Sequence, residues 1–189
     1  DGTPELLQEY NNIEVHHLSE RKGKMHAMNR GIKFVKAPIV IFSDTNTTLG
    51  KQSIREMVAK FSNSEIGCVA GEKRILEKEE DDAAGAGEGL YWKLESWIKN
   101  MDAELNSAVG AVGELFAIRT ELFREVEKDT LLDDFIISLR IAQKGYKIAY
   151  APNAYAEETA SLNVKEELKR KIRIAAGGIQ TIFRLRSLL

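Results

Sequence analysis

The run Ile39-Val40-Ile41-Phe42, opened by Pro38 and closed by Ser43-Asp44, constrains the fold of this chain more than any other segment. Four consecutive apolar residues, three of them β-branched, predict a short strand covered on both faces, as in a parallel sheet. Helical patterns flank it: Met25, Met28, Ile32 and Val35 recur at helical spacing after Gly23, and Ile54, Met57, Val58 and Phe61 do so beyond Leu49-Gly50. Ile13–Leu18 alternates like a short strand, and Cys68-Val69-Ala70 reads as another. Phe135 to Lys144 predicts a helix ended by Gly145, with Lys147 to Tyr150 as a strand before Pro152. Strand and helix alternate, which predicts an α/β fold with a mostly parallel sheet flanked by helices.

Between these elements, Glu77 to Gly89 is acidic, then rich in Ala and Gly, and lacks apolar periodicity, so a loop is expected there. Leu90, Leu94, Trp97, Ile98 and Met101 then predict a helix. Tyr91 and Trp92 widen its apolar surface, toward either core packing or sugar stacking.

With 189 residues, 43% hydrophobic and 30% charged, the chain fits one ordinary globular domain. Its formal net charge of −2 supplies no global basic field, so no nucleic-acid partner is expected and an anionic ligand needs a local basic cluster. Cys68 is the only cysteine, which excludes an internal disulfide and a thiolate zinc cage. No apolar run approaches the roughly 20 residues that cross a bilayer.

Four places carry chemical meaning. Asp44-Thr45-Asn46 follows the strongest strand, where α/β sheets gather ligands beyond the strand ends. Asp44 and Asn46 there can offer oxygens to a hard divalent cation, or an Asx-type turn can simply close the strand. Asp133 and Asp134 stand just before a helix, where one can cap backbone N–H groups and the helix dipole would keep both ionised. Such a carboxylate can also accept a proton from an attacking hydroxyl. Finally, Arg170 and Arg173 share a helix face flanked by Lys169 and Lys171. That face can grip a diphosphate or remain solvated, while Leu168, Ile172, Ala175, Ile179 and Ile182 opposite it can cover the core or rest on an anionic membrane. Lys24 and Arg30, around the start of the second helix, are either phosphate contacts or surface charge.

Taken in order, these segments resemble the family 2 glycosyltransferases. GKMHAMNRGI is similar to that family's Lys-x-x-Ala-x-Asn-x-Gly segment and IVIFSDTNT to its strand and Asp-x-Asp motif. GAVGELFAIR, from Gly110 to Arg119, resembles the acceptor segment, LLDDFIISLRIAQKGYKIAYAPNA the Thr-Glu-Asp region, and RKIRIAAGGIQ the Gln-x-x-Arg-Trp segment of the membrane-bound polysaccharide branch. The resemblance implies a GT-A (Rossmann-like) fold and an inverting displacement that moves a sugar from a nucleotide diphosphate donor to an acceptor hydroxyl, in cell-envelope or exopolysaccharide synthesis.

Carried over residue by residue, it makes Asp134 the catalytic base. Lys24, Asn29, Asp44, Arg170 and Arg173 become donor or diphosphate contacts, Gly110 and Asp133 acceptor contacts, and Asp44 and Asn46 ligands of Mg²⁺ or Mn²⁺. It implies a UDP-sugar donor and a saccharide or lipid-linked acceptor. It also implies a division into a partial catalytic domain (1–162) and a C-terminal interface helix (163–189) on the cytoplasmic face of the plasma membrane. A first β-α-β unit, roughly 40–60 residues with its flanks, would precede Asp1. Asn46 in place of a carboxylate, Arg170 in place of Gln and Ile174 in place of Trp depart from the pattern. A nucleotidyltransferase and a catalytically silent nucleotide-sugar-binding or membrane-docking module are the alternative readings.

Overall fold

The apolar run after Pro38 forms strand β1 (Ile39–Ser43). The computed structural model, which describes residues 2–76, 83–111, 113–159 and 164–188, places it in a five-stranded sheet with β2 (Thr48–Leu49), β3 (Ile66–Leu76), β4 (Leu115–Arg119) and β5 (Lys147–Thr159). The helices are α1 (Thr3–Leu7), α2 (Lys24–Gly31), α3 (Ser53–Lys60), α4 (Ala83–Leu105), α5 (Asp133–Gln143) and α6 (Val164–Arg184).

The strands lie in the order β1-β4-β3-β5-β2. β3 and β5 pair in parallel, whereas β4 is antiparallel to both β1 and β3, and β2 is antiparallel to β5. The α/β expectation holds, with a mixed sheet: β1, β3 and β5 share one direction, and β4 and β2 oppose it. Apolar continuity reports burial on both faces and says nothing of direction, so β4 (LFAIR) reads like β1 although it runs the other way.

Helices cover both faces. On one, Cys68, Ala70, Phe116, Ile118 and Ile148 pack against Ile136, Ile137 and Ile141 of α5 and Met25 of α2. On the other, Val69, Leu115, Ala117 and Ala156 meet Met57 of α3 and the following Phe61. Each fully buried side chain of the size of Phe116 or Ile136 stabilises the fold by about 1.5–3 kcal/mol. The far half of α6 docks beside the start of α5. Gly177 and Thr181 are its buried positions, followed by Leu185 just past its end, and a Cβ at Gly177 would come within 2.5 Å of Leu132 Cγ.

Three expectations change. Ile13–Leu18 forms no strand: its backbone joins no ladder, and Ile13, Val15 and Leu18 stay exposed. It is tethered by side chains, with Arg30 donating to the His16 carbonyl and the His16 ring stacked on Phe34 at 3.6 Å. Of the loop expected over 77–89, residues 77–82 lie outside the described residues and 83–89 open α4. Alanine favours helix, and the helix gains tertiary support from Ser96, which donates to Glu72, itself the acceptor for Tyr150. Finally, the strand at Lys147 continues past Pro152 to Thr159. The register passes from Ala70↔Tyr150 to Glu72↔Tyr155, so Pro152 falls in an irregularity where no ladder bond is required of it.

Candidate active site

Beyond the end of β1 the chain turns, and the turn is not closed by the Asp44 side chain. The Asp44 carbonyl accepts from the Thr47 backbone N–H (3.3 Å) and the Thr47 hydroxyl (2.8 Å), which leaves the carboxylate outside the turn. Lys24, the first residue of α2, takes it up: Nζ lies 2.9 Å from Asp44 Oδ1 and 3.1 Å from Asp133 Oδ2. Burial by itself would lower the Lys24 pKa, but the attraction of Asp133 and the hydrogen bond to Asp44 outweigh it, and the value is raised. Three segments that are separate in sequence thus meet at one ammonium group.

Asp133 and Asp134 begin α5 but neither caps it; the N-cap position is Leu132 and makes no side-chain capping bond. The expectation that both stay ionised is corrected for Asp134, whose pKa is pushed up to about 7. Burial is the main cause, followed by the negative charge of Asp133; the Phe135 backbone N–H and Lys24 pull the other way, and Glu114 adds to the rise. Loss of solvation outweighs the favourable helix N-terminus. Gly113 leaves room for this carboxyl, since a Cβ there would stand 3.2 Å from Asp134 Oδ2.

A second charged cluster adjoins the first. Lys73 in β3 is buried at 4% exposure, with Nζ 2.5 Å from both Glu114 Oε1 and Glu158 Oε2. Asn46 Nδ2 donates to Glu158 Oε1 at 2.7 Å, which joins the turn after β1 to the end of β5. Burial would raise the Glu114 pKa, but the Lys73 charge and hydrogen bond lower it, so a carboxylate persists here. Sequence reading missed Lys73, Glu114 and Glu158. The one local signal was a lysine inside an otherwise strand-like stretch, and nothing in its neighbourhood names partners 41 and 85 residues away.

The remaining candidates divide. Arg170 is held by Glu167 at 2.9 and 3.0 Å, and its charge is felt by Glu114 and Glu158, which sets it beside the second cluster. Arg173 donates to the Leu131 carbonyl at 3.1 Å, next to the start of α5. Asn29, expected at the donor, holds Val126: Nδ2 donates to its carbonyl (2.8 Å) and Oδ1 accepts from its N–H (2.9 Å). Gly110 lines a cleft of about 390 Å³ with Val109, Phe135, Leu94 and Ile98. Phe135, the residue after Asp134, is part of this lining, whereas Asp134 itself is not. Among the described residues no group of three or more His, Cys, Asp or Glu gathers at metal-binding spacing.

The mixed sheet with helices on both faces is a GT-A fold. A mannosyltransferase from Pyrobaculum calidifontis, solved with GDP-Man and Mn²⁺, matches 97% of this chain over 51% of its own, with a TM-score of 0.78 at 20% identity. GalNAc-T7, solved with UDP, GalNAc and Mn²⁺, matches 86% of this chain over 36% of its own, with a TM-score of 0.63 at 18% identity. In sequence, residues 3–177 match the model of the family described as glycosyltransferase like family 2, and the chain belongs to that family. A poly-beta-1,6-N-acetyl-D-glucosamine synthase of Staphylococcus aureus (strain COL) is 26% identical over 193 residues, covering 97% of this chain. The chain spans about half the length of such curated relatives, 46% in this case.

Proposed function

We propose that this chain is the catalytic part of an inverting glycosyltransferase that moves a sugar from a nucleotide diphosphate donor to an acceptor hydroxyl in envelope or extracellular polysaccharide synthesis. The observation that carries the reading is Asp134, a half-buried carboxyl at the start of α5 whose pKa of about 7 suits a general base near neutral pH. It feels the charge of the ammonium that holds Asp44, and the residue after it, Phe135, lines a cleft. Family membership and the staphylococcal synthase support the reaction class and argue against a nucleotidyltransferase.

In the mechanism that follows, an acceptor hydroxyl entering by the Gly110–Phe135 cleft places its proton at Asp134. As the oxygen attacks the anomeric carbon, Asp134 takes the proton and the bond to the diphosphate breaks on the opposite side. Asp133 and Glu114 keep Asp134 a stronger base than an ordinary aspartate, because each adds negative charge to its surroundings. Lys24 is placed to meet negative charge that develops at the donor phosphates, and Arg170 and Arg173 line the α6 side. Asn29 has no part in donor binding in this scheme; it fixes α2 to Val126.

A divalent cation fits at the turn after β1, where Asp44 offers a carboxylate and Asn46 a carbonyl oxygen. Two protein oxygens suit Mg²⁺ or Mn²⁺, which keep several waters and take phosphate oxygens as further ligands. When bound, the ion would neutralise charge on the leaving diphosphate. The expected donor is a UDP-sugar and the acceptor a saccharide or lipid-linked saccharide.

Residues 163–189 are proposed as a membrane-interface segment at the cytoplasmic face. Leu168, Ile172, Ile179 and Phe183 are 58–75% exposed, so this face of α6 does not cover the core. Lys165, Lys169 and Lys171 supply positive charge for anionic lipid. Among the described residues no helix is long and apolar enough to cross a membrane. The test is transfer of labelled sugar by the full-length protein and its Asp134→Asn variant. Loss of turnover with retained donor binding is expected, and transfer by the variant at the wild-type rate would reject the base assignment.

A further inference from the structure

We propose that Glu158 is a positioning residue for the donor end of the site: it orients the Asn46 amide so that the carbonyl oxygen is presented to the ligand side, and Lys73 holds Glu158 in place. The inference rests on the reading that the turn at Asp44-Thr45-Asn46 takes a divalent cation with the donor diphosphate.

An asparagine is an ambiguous ligand, because one arm of its amide donates and the other accepts. Left alone, Asn46 would present either arm. Glu158 removes the ambiguity. A carboxylate only accepts, so the atom 2.7 Å from Glu158 Oε1 must be Nδ2, and Oδ1 on the opposite arm is turned away from Glu158. The neutral side chain that stands where the family places a carboxylate is thereby fixed as an oxygen donor.

Glu158 is itself pinned. Its other oxygen, Oε2, meets Lys73 Nζ at 2.5 Å, and Lys73 also holds Glu114. Lys73 and Glu158 sit on adjacent parallel strands, where Lys73 pairs with Ala156 and Arg74 with Glu157, so the support is built on the sheet rather than on a loop. Outer partners that orient a metal's ligands typically change affinity 10- to 100-fold when removed.

The exchange Asn46→Asp with Glu158→Gln tests this directly. Glu158→Gln alone keeps the size and a carbonyl for Lys73 but can donate to Asn46 Oδ1, so the amide loses its fixed orientation. Asn46→Asp alone sets two carboxylates against each other. The double variant restores one donor and one acceptor with their roles reversed and returns an oxygen to the ligand side. Mn²⁺ binding to the full-length protein, read by electron paramagnetic resonance with UDP present, should weaken about tenfold in Glu158→Gln and recover most of that loss in the double variant. Wild-type affinity in Glu158→Gln, or a double variant no tighter than the weaker single one, would overturn the positioning role alone. A wild-type protein that takes up no Mn²⁺ with UDP would overturn the metal reading and this proposal together.

Discussion

Lys24 Nζ stands 2.9 Å from Asp44 Oδ1 and 3.1 Å from Asp133 Oδ2, so a single side chain joins the turn after β1 to the helix that carries Asp134. The two carboxylates differ in setting: the Asp44 side chain is 35% exposed and that of Asp133 only 9%. Asp133 therefore depends on Lys24 more than Asp44 does, since little water is available to replace it.

Lys24→Met should lower stability by about 1–2 kcal/mol, a figure reduced for the half-exposed ammonium. A denaturant titration at pH 7 checks it. The same change should move the Asp134 pKa further up, because Lys24 opposes its rise. Lys24→Arg should retain most of both effects, and an unchanged midpoint in Lys24→Met would mean that the bridge contributes nothing.

The pH dependence has a definite sign. Asp134 binds its proton up to about pH 7 in the folded chain but has an ordinary value of 3.8. Its contribution to stability is full below pH 3.8 and is lost as pH rises from there through about 7, because the unfolded chain releases a proton that the folded chain retains. Relative to Asp134→Asn, the wild-type chain should lose on the order of 1–4 kcal/mol between pH 4 and 8, at roughly 1.4 kcal/mol per unit. Melting curves of both proteins across that range give the difference. In the full-length enzyme kcat/KM should rise through about pH 7 as the base deprotonates.

Asn29→Ala should cost about 1–3 kcal/mol, because the Val126 N–H and carbonyl both lose their partner. The KM for the donor should stay within about twofold of wild type at temperatures where the variant is folded. A large rise in that KM without loss of stability would return Asn29 to the donor site.

Cys68 is fully buried in β3, and burial together with the charge of Asp134 pushes its thiol pKa well above the usual range. The native chain should react with a thiol reagent at pH 8 only as fast as it unfolds. Labelling should be complete within minutes in denaturant and much slower in buffer. Rapid labelling of the native chain would show that β3 opens locally.

Much of the site was legible because its signals are local. Asp44 ends an apolar strand, Asp133 and Asp134 open a helix, and Lys24 begins one, and each of these follows from periodicity over a few residues. The order of these motifs was enough to indicate the family, which the match over residues 3–177 then showed.

Contacts between distant residues were not legible. Ile13–Leu18 has the alternation of a strand, yet a strand requires a backbone partner, which no local pattern supplies. Asn29 lies in a family motif but is used by Val126, 97 residues away. Lys73 finds Glu114 and Glu158 only because β3 and β5 lie side by side and β4 on the other edge of β3 begins just after Glu114. The sequence by itself determined which elements form and which acids stand at their ends, because these depend on short-range periodicity and chain chemistry. The tertiary structure decided the mixed sheet, the Lys73 cluster and the raised pKa of Asp134. Each of those depends on which groups are brought together and how much water is excluded, and both are properties of the packed molecule.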